Sequence, residues 1–373
     1  MRHSQFLILI GMAICCAWTE PKPGHAQNAF FSFDPPVFDP YGAMADRPVS
    51  HPGPTTLPSA SITPAAVADS AAGDAPAEMP IYGCACGCGV FEVGTSSMLP
   101  HGAGLTLYVE YDYQDQNIDW SGVKPASSAD NGDKEIRTNF YTAGIQYYFN
   151  RNWGVQLEVP VDERFFETTG GVTGDQLVAF HWTTLGDMRL EGIYDGFMPD
   201  QSLGIIFGAK LPTGKFNHPN DAEGDVDRDS QLGTGSTDVL LGGFYRNNLT
   251  SDGRFDWFGQ VLADLPVLTQ QHYRPGDEVD GAVGAYMNGL HIGRVDIIPI
   301  AQVIASHRES DTGLEASVPV ASGYDRILIA PGLEVDLHPL MFYADIELPV
   351  YARFTGDQLV TAALFKVMVS YHF

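Results

Sequence analysis

Basic residues are scarce in this chain, with 20 Lys and Arg against 46 Asp and Glu, a formal charge of −26. Nucleic-acid backbones are bound by basic stripes, so the shortage argues against DNA or RNA as a partner. Cysteine is also sparse, five in 373 residues. Cys15 and Cys16 share one apolar run, and Cys84, Cys86 and Cys88 form a single cluster. That distribution is not a disulfide scaffold. Beyond the first 26 residues no run of 18 apolar residues occurs, which argues against a membrane-spanning helix. From about residue 102 the 3.6-residue helical period is missing as well, and no G-x-S-x-G elbow or comparable nucleophile motif is present.

What is present changes character along the chain. Residues 1–26 read as an export signal: Arg2 and His3, the run FLILIGMAICCAW, then Gly24-His25-Ala26 with cleavage expected before Gln27. Residues 27–80 scatter prolines from Pro35 to Pro76 among Ala, Ser and Gly, a composition that predicts a disordered linker. Residues 81–101 carry the cysteines and are read as a plug or a contact segment.

From 102 to 373 the pattern is alternation. Leu105, Leu107, Val109, Tyr111 and Tyr113 fall on one face, and Thr106, Tyr108, Glu110, Asp112 and Gln114 on the other. The closing stretch from Leu359 to Phe373 alternates in the same way and ends on an aromatic residue. Period two predicts strands with two different surroundings. Twelve segments follow, at about 103–114, 135–149, 152–162, 184–196, 202–212, 234–247, 254–266, 279–290, 294–306, 324–337, 340–351 and 358–373. Short and long connections alternate between them, and aromatics gather near strand ends: Tyr147, Tyr148, Phe149, Trp153, Phe255, Trp257, Phe258, Phe342, Tyr343, Tyr371 and Phe373.

The fold this predicts is all-β, a closed antiparallel transmembrane barrel of about 12 strands. Closure follows because an unpaired edge in lipid leaves backbone groups unsatisfied. A soluble sandwich alternates too, but twelve strands would make a heavy one. Pro160, Pro212, Pro266 and Pro349 near strand ends are expected at rims or bulges, and bulges are also expected at Pro299 and Pro331.

Three stretches, AKLPTGKF (209–216), LGTGSTDVLLGGFY (232–245) and LGDMRLEGIYDGF (185–197), resemble the bacterial outer-membrane proteins of the MetA-pathway-of-phenol-degradation-like family. Leu211, Pro212, Thr213, Gly214, Gly233, Gly235, Ser236 and Asp238 carry the likeness, which extends over most of 102–373. The resemblance implies a barrel in the outer membrane of a Gram-negative bacterium that moves small, often hydrophobic, molecules. It brings no catalytic set. The Pro-rich segment and the cysteine cluster depart from the family's plain form.

With the apolar faces toward lipid, the other faces supply Glu110, Asp112, Glu158, Asp264, Glu334, Asp336, Asp345 and Glu347, with Lys366 and Arg246 among the few bases. A lumen so lined would concentrate cations; the same carboxylates could instead pair with bases as packing. Cys84, Cys86 and Cys88 hold a soft metal, Cu(I) or Zn(II), engage in disulfide chemistry, or do neither; the sequence leaves the three open. The acidic run 221–229 does not fit a calcium loop and is expected to be solvated. The function expected is passage of small molecules or ions, with lipid as surroundings and the N-terminal segment in the periplasm. The alternatives are docking of a periplasmic protein or metal handling through the cysteines, and a hydrolase whose triad is assembled across strands.

Overall fold

The structure is a computed structural model describing residues 103–373 apart from 130, 171–175, 221–223, 289 and 317–319. The readings of 1–26, 27–80 and 81–101, including Cys84, Cys86 and Cys88, lie outside the described residues. Ten strands run in sequence: β1 Gly104–Gly122, β2 Asp133–Asn150, β3 Trp153–Gly170, the interrupted β4 (Gln176–Leu185 and Met188–Tyr194), β5 Leu203–Leu211, β6 Thr237–Asn248, β7 Phe255–Leu268, β8 Glu278–Met287, β9 Val295–Arg308 and β10 Tyr324–Asp336. The last element, Leu340–His372, has two arms, 340–354 against β10 (here β11) and 357–372 against β1 (here β12). Ten strands and two arms make twelve. Gly356, at φ 73°, makes the turn between the arms. Their far ends meet where the His372 N–H donates to the Pro339 carbonyl at 2.9 Å.

Every strand pairs antiparallel with its neighbour, and Leu107↔Tyr371 and Val109↔Val369 join the first strand to the last. The chain is therefore a closed antiparallel β-barrel. Short turns lie at one end, and the longer connections 123–132, 212–236, 269–277 and 309–323 lie at the other.

The alternation resolves into two environments. Leu107, Val109, Ile145, Val261, Val283, Val303 and Val367 are exposed on the outer wall, while Tyr108, Glu110, Asp112 and Gln114 are buried inside. Along β1 the apolar outer band runs from Leu105 to Tyr113, which with strand tilt gives a height of about 20 Å. Aromatic pairs mark its limits: Trp153–Tyr194 and Tyr371–Phe373 toward the short turns, with centroids 4.6 and 4.5 Å apart, and Tyr111–Tyr141 toward the loops, at 5.2 Å. Above the loop-side limit the outer wall turns ionic, with Glu163–His181 at 2.7 Å and His307–Asp325 at 2.6 Å.

Three expectations change. Tyr148, Phe258 and Tyr343 do not join the aromatic belt; at 0%, 2% and 1% exposure they fill the interior, because their strand phase is opposite to that of Tyr147, Trp257 and Phe342. Several strands also rise well above the sequence-derived limits, β1 to Gly122 and β3 to Gly170, where polar residues hide the alternation. Pro299 and Pro331 sit in unbroken register, opposite Leu333 and Ala301 respectively. No bulge is needed there, since the other edge of each faces a gap in pairing: positions 298–299 between β8 and Leu290–Ile292, and 330–331 beside β11. Pro266 and Pro349 do sit at register shifts, and Pro212 follows the end of β5. Pro160 faces the interruption of β4, where Gly186 N–H donates to its carbonyl at 3.0 Å.

Candidate functional site

The interior has two levels. Toward the short turns it is packed. Tyr108, Phe258, Tyr286, Ile300, Met341, Tyr343 and Met368 form one buried cluster, and Tyr148, Ile193, Ile206, Leu240, Phe244 and Leu262 another. Polar groups between them are mutually bonded. Tyr108 Oη donates to Glu158 Oε1 at 2.5 Å, Gln156 Nε2 donates to the same oxygen at 2.5 Å, and Gln146 Nε2 donates to Gln156 Oε1 at 2.8 Å. Tyr343 Oη donates to Asp345 Oδ2 at 2.7 Å. Lys366, 1% exposed, stands 3.1 Å from Glu110 and 3.2 Å from Asp112.

Toward the loops the lumen opens into a cavity of about 990 Å³, within the range of small-molecule sites. Its lining holds ten carboxylates (Asp112, Asp133, Asp162, Asp187, Asp227, Asp229, Asp238, Asp264, Glu278, Asp357) and five bases (Arg164, Arg189, Lys210, Arg308, Arg326). Lys210 is paired with both Asp238 and Asp264, the latter at 2.9 Å, and Arg189 lies 3.7 Å from Asp264.

Of the acidic residues singled out in the sequence, Asp112 and Asp264 line this cavity; Glu110, Glu158, Glu334, Asp345 and Glu347 are buried in the barrel interior and are not part of its lining. Asp336 is buried as well, and Arg246 lies near Tyr148. The bases Arg164, Arg189, Lys210, Arg308 and Arg326 also line the cavity, and each follows the inward phase of its strand, so the alternation itself carries the signal for them.

The three family-like stretches converge on one knot at the cavity wall. Asp187, in the break of β4, accepts from the Gly214 N–H through Oδ1 at 2.9 Å. Its Oδ2 accepts from the Thr234 N–H at 2.8 Å and the Thr234 hydroxyl at 2.6 Å. Thr213 Oγ1 donates to the Gly186 carbonyl at 2.8 Å and accepts from the Met188 N–H at 2.9 Å. Ser236 Oγ lies 2.9 Å from Thr234 Oγ1. Gly214 and Gly233 let the two backbones cross: a Cβ on Gly233 would fall 2.4 Å from the Gly214 carbonyl carbon. Leu211 ends β5 opposite Met188, Gly235 takes φ 68°, and Asp238 opens the charged cluster through Lys210.

The knot holds the flanks of the connection, Gly214 and Thr234, at the mouth. In the described part of the acidic run Asp227 and Asp229 are exposed, as expected, while Val226 packs with Phe166, Phe180 and Trp182 and Arg228 is 9% exposed. Arg228 donates to the carbonyls of Phe216 at 3.3 Å and Thr234 at 2.8 Å and to Gln271 Oε1 at 3.2 Å. Its guanidinium sits over the Phe216 and Tyr273 rings at 4.2 and 4.8 Å. Tyr273 Oη donates to Asp311 at 2.7 Å, and Asp311 also accepts from Arg308 at 2.6 Å. Burial, with the Asp311 carboxylate, pushes the Tyr273 phenol well above its usual value, so it acts as a donor. Three long-loop connections are thereby bonded in series. Among the described residues no group of three His, Cys, Asp or Glu has a geometry that could hold a metal ion.

No family model matches the sequence, and no curated protein does. Solved structures do match. The COG4313 outer membrane channel from Pseudomonas putida F1 is similar over 74% of this chain and 97% of its own, at 10% identity and a TM-score of 0.52. The beta domain of the Bordetella autotransporter BrkA covers 73% of this chain and 100% of its own, at 13% identity and a TM-score of 0.42. The translocator domain of the autotransporter NalP from Neisseria meningitidis covers 74% and 92%, at 14% and 0.41. The first of these likenesses establishes the fold alone, that of an outer-membrane β-barrel.

Proposed function

We propose that the chain is an outer-membrane passage for small solutes with a preference for cations, its short turns in the periplasm and its long loops outside. The carrying observation is the cavity lining, ten carboxylates against five bases. Asp162, Asp187, Asp238, Asp264 and Glu278 share the β3–β10 wall with the five bases and Asp112 on β1 stands beside Lys366, whereas Asp133, Asp227, Asp229 and Asp357 belong to the loop-side rim or the connection 212–236. A rim of one sign between low-dielectric walls raises the local concentration of counter-charged solutes. The resemblance of the knot motifs to the MetA-pathway-of-phenol-degradation-like family, and the barrel fold shared with a COG4313 channel, support placement in that family. The packed half makes passage depend on rearrangement of the aromatic side chains, so brief openings rather than a steady current are expected.

The test is the reversal potential of the full chain in a planar bilayer under a KCl gradient. Steps that reverse on the potassium side, and move toward zero when Asp133, Asp227, Asp229 and Asp357 are all changed to Asn, are the expected result. Anion preference, or silence from a barrel shown to be folded, overturns the reading.

A further inference from the structure

The loop-side mouth is held by more than the knot. Asp187 fixes two flanks, Gly214 and Thr234. Between them Val226, Arg228 and Ser230 are buried, while the alternating Asp227 and Asp229 are exposed and line the cavity. Each buried position has its own hold. Val226 sits among Phe166, Phe180 and Trp182. Arg164 on β3 donates through Nε to the Thr138 hydroxyl at 3.0 Å, and through Nη1 to the carbonyls of Ser230 at 2.8 Å and Gln231 at 3.3 Å. The buried Gln231 side chain donates to the Val226 carbonyl at 2.7 Å and accepts from the His218 N–H at 3.0 Å, and the His218 ring stacks on Trp182 at 4.3 Å. A plain surface connection leaves its carbonyls to water; here a buried guanidinium serves two of them with charge-assisted bonds.

These holds continue around the mouth. From Ser230 the line runs through Arg228, which bonds Gln271 and lies over the Tyr273 ring, then from Tyr273 to Asp311 and from Asp311 to Arg308 on β9. Tyr273 and Arg274 also pair through their backbones with Gly313 and Thr312. In a closed ring of twelve strands β3 and β9 stand six apart, so the line ties opposite sides of the rim. Residues 226–234 cannot swing outward without breaking a contact of Arg164 or Arg228. Ser230, Gln231, Leu232 and Thr234 share the cavity lining with Ile118 and Trp120 on β1 and Leu359 on β12. The tied segment is thus a wall of the cavity at its loop-side end.

We propose that residues 226–234 form the size-selecting edge of the loop-side mouth, with Arg164 and Arg228 as the positioning residues, so that compact solutes enter the cavity and bulkier ones are turned away. This deepens the passage reading and rests on it, but it is tested by access rather than by current. Thr142 is buried, lines the cavity and lies nearer the short turns than Thr138, the partner of Arg164. Thr142→Cys places a thiol beneath the edge in the full chain in lipid nanodiscs, and peptide-resolved mass spectrometry separates it from Cys84, Cys86 and Cys88. Two uncharged reagents, N-methylmaleimide and the bulkier N-(1-pyrenyl)maleimide, are compared, each rate taken relative to free cysteine. N-methylmaleimide should label and the pyrenyl reagent lag. Arg164→Gln or Arg228→Met, added to Thr142→Cys, should speed the pyrenyl reagent at least about tenfold, the shift expected from losing one charge-assisted contact, and leave N-methylmaleimide within about threefold. Arg137→Gln, which removes a guanidinium lying over Phe165 rather than one in the tie, should change neither. Heat modifiability on gels reports folding, and Arg228→Met carries the test if Arg164→Gln does not fold. A thiol that N-methylmaleimide does not reach, equal access of both reagents, a pyrenyl rate unmoved by the variants, or equal acceleration of both reagents overturns the inference. Size-graded labelling of a barrel that passes no current would remove the passage reading and leave the edge standing. Cation-selective current with labelling blind to size would do the reverse.

Discussion

Changing Asp187 to alanine removes three hydrogen bonds to one carboxylate: from the Gly214 N–H, the Thr234 N–H and the Thr234 hydroxyl, at 2.9, 2.8 and 2.6 Å. Bonds to a charged group contribute about 1.5–3 kcal/mol each, but they share one acceptor and the site is half-buried, so about 3 kcal/mol for the set is a reasonable total. That corresponds to roughly a hundredfold change in the balance between tethered and released forms of the connection 212–236. Hydrogen–deuterium exchange in nanodiscs reads this directly, since the Gly214 and Thr234 amides lose their acceptors. Peptides covering them should exchange about a hundredfold faster, while the β12 peptide stays unchanged. Asp187→Asn keeps one carbonyl acceptor and should give an intermediate rate. Exchange at 212–236 that stays within about threefold of the parent would refute the knot as the device holding this connection in the mouth.

Three further outcomes are expected. Lys366→Met strands Glu110 and Asp112 in the interior and should destabilise the barrel by about 3–5 kcal/mol in urea titrations in lipid vesicles; adding Glu110→Gln and Asp112→Asn should recover most of the loss. Gly233→Ala drives a Cβ to 2.4 Å from the Gly214 carbonyl carbon, and the backbone shift should cost about 1–3 kcal/mol and reduce the yield of heat-modifiable folded protein on gels. Phe258→Ala, which empties a ring from the packed half, should lower stability by about 3–5 kcal/mol yet lengthen or enlarge the current steps in a planar bilayer.

The barrel was legible because lipid and lumen demand opposite side chains, so period two is written directly into stretches such as Leu105–Tyr113. Where both faces are polar, as in β1 beyond Gln114 or the upper part of β3, the same signal fades although the strands run on to Gly122 and Gly170. Side-chain phase is equally readable: Tyr148, Phe258 and Tyr343 lie near strand ends, but each is one position out of step with Tyr147, Trp257 and Phe342, which turns it inward. The knot lay beyond any local reading. LGD, KLPTG and LGTGS-x-D are separated by up to 47 positions between Asp187 and Thr234, and only closure of the sheet shows that a carboxylate in one serves amides in the others. For the candidate cavity, the sequence displayed acids in abundance but not the division of levels, which depends on how far each inward side chain sits from the packed aromatic layer.

The pairing of β1 with β12 has a kinetic consequence. Leu107 faces Tyr371 across the closing ladder, so one edge of the first strand waits for almost the last residues of the chain. The loop that must close is nearly the whole barrel, and its entropy is lost before the final hydrogen bonds repay it. Every earlier sheet carries two open edges able to template pairing with another copy. Assembly of this protein is thus governed by very high contact order: slow, cooperative at its end, and dependent on protection of those edges until the seam is made.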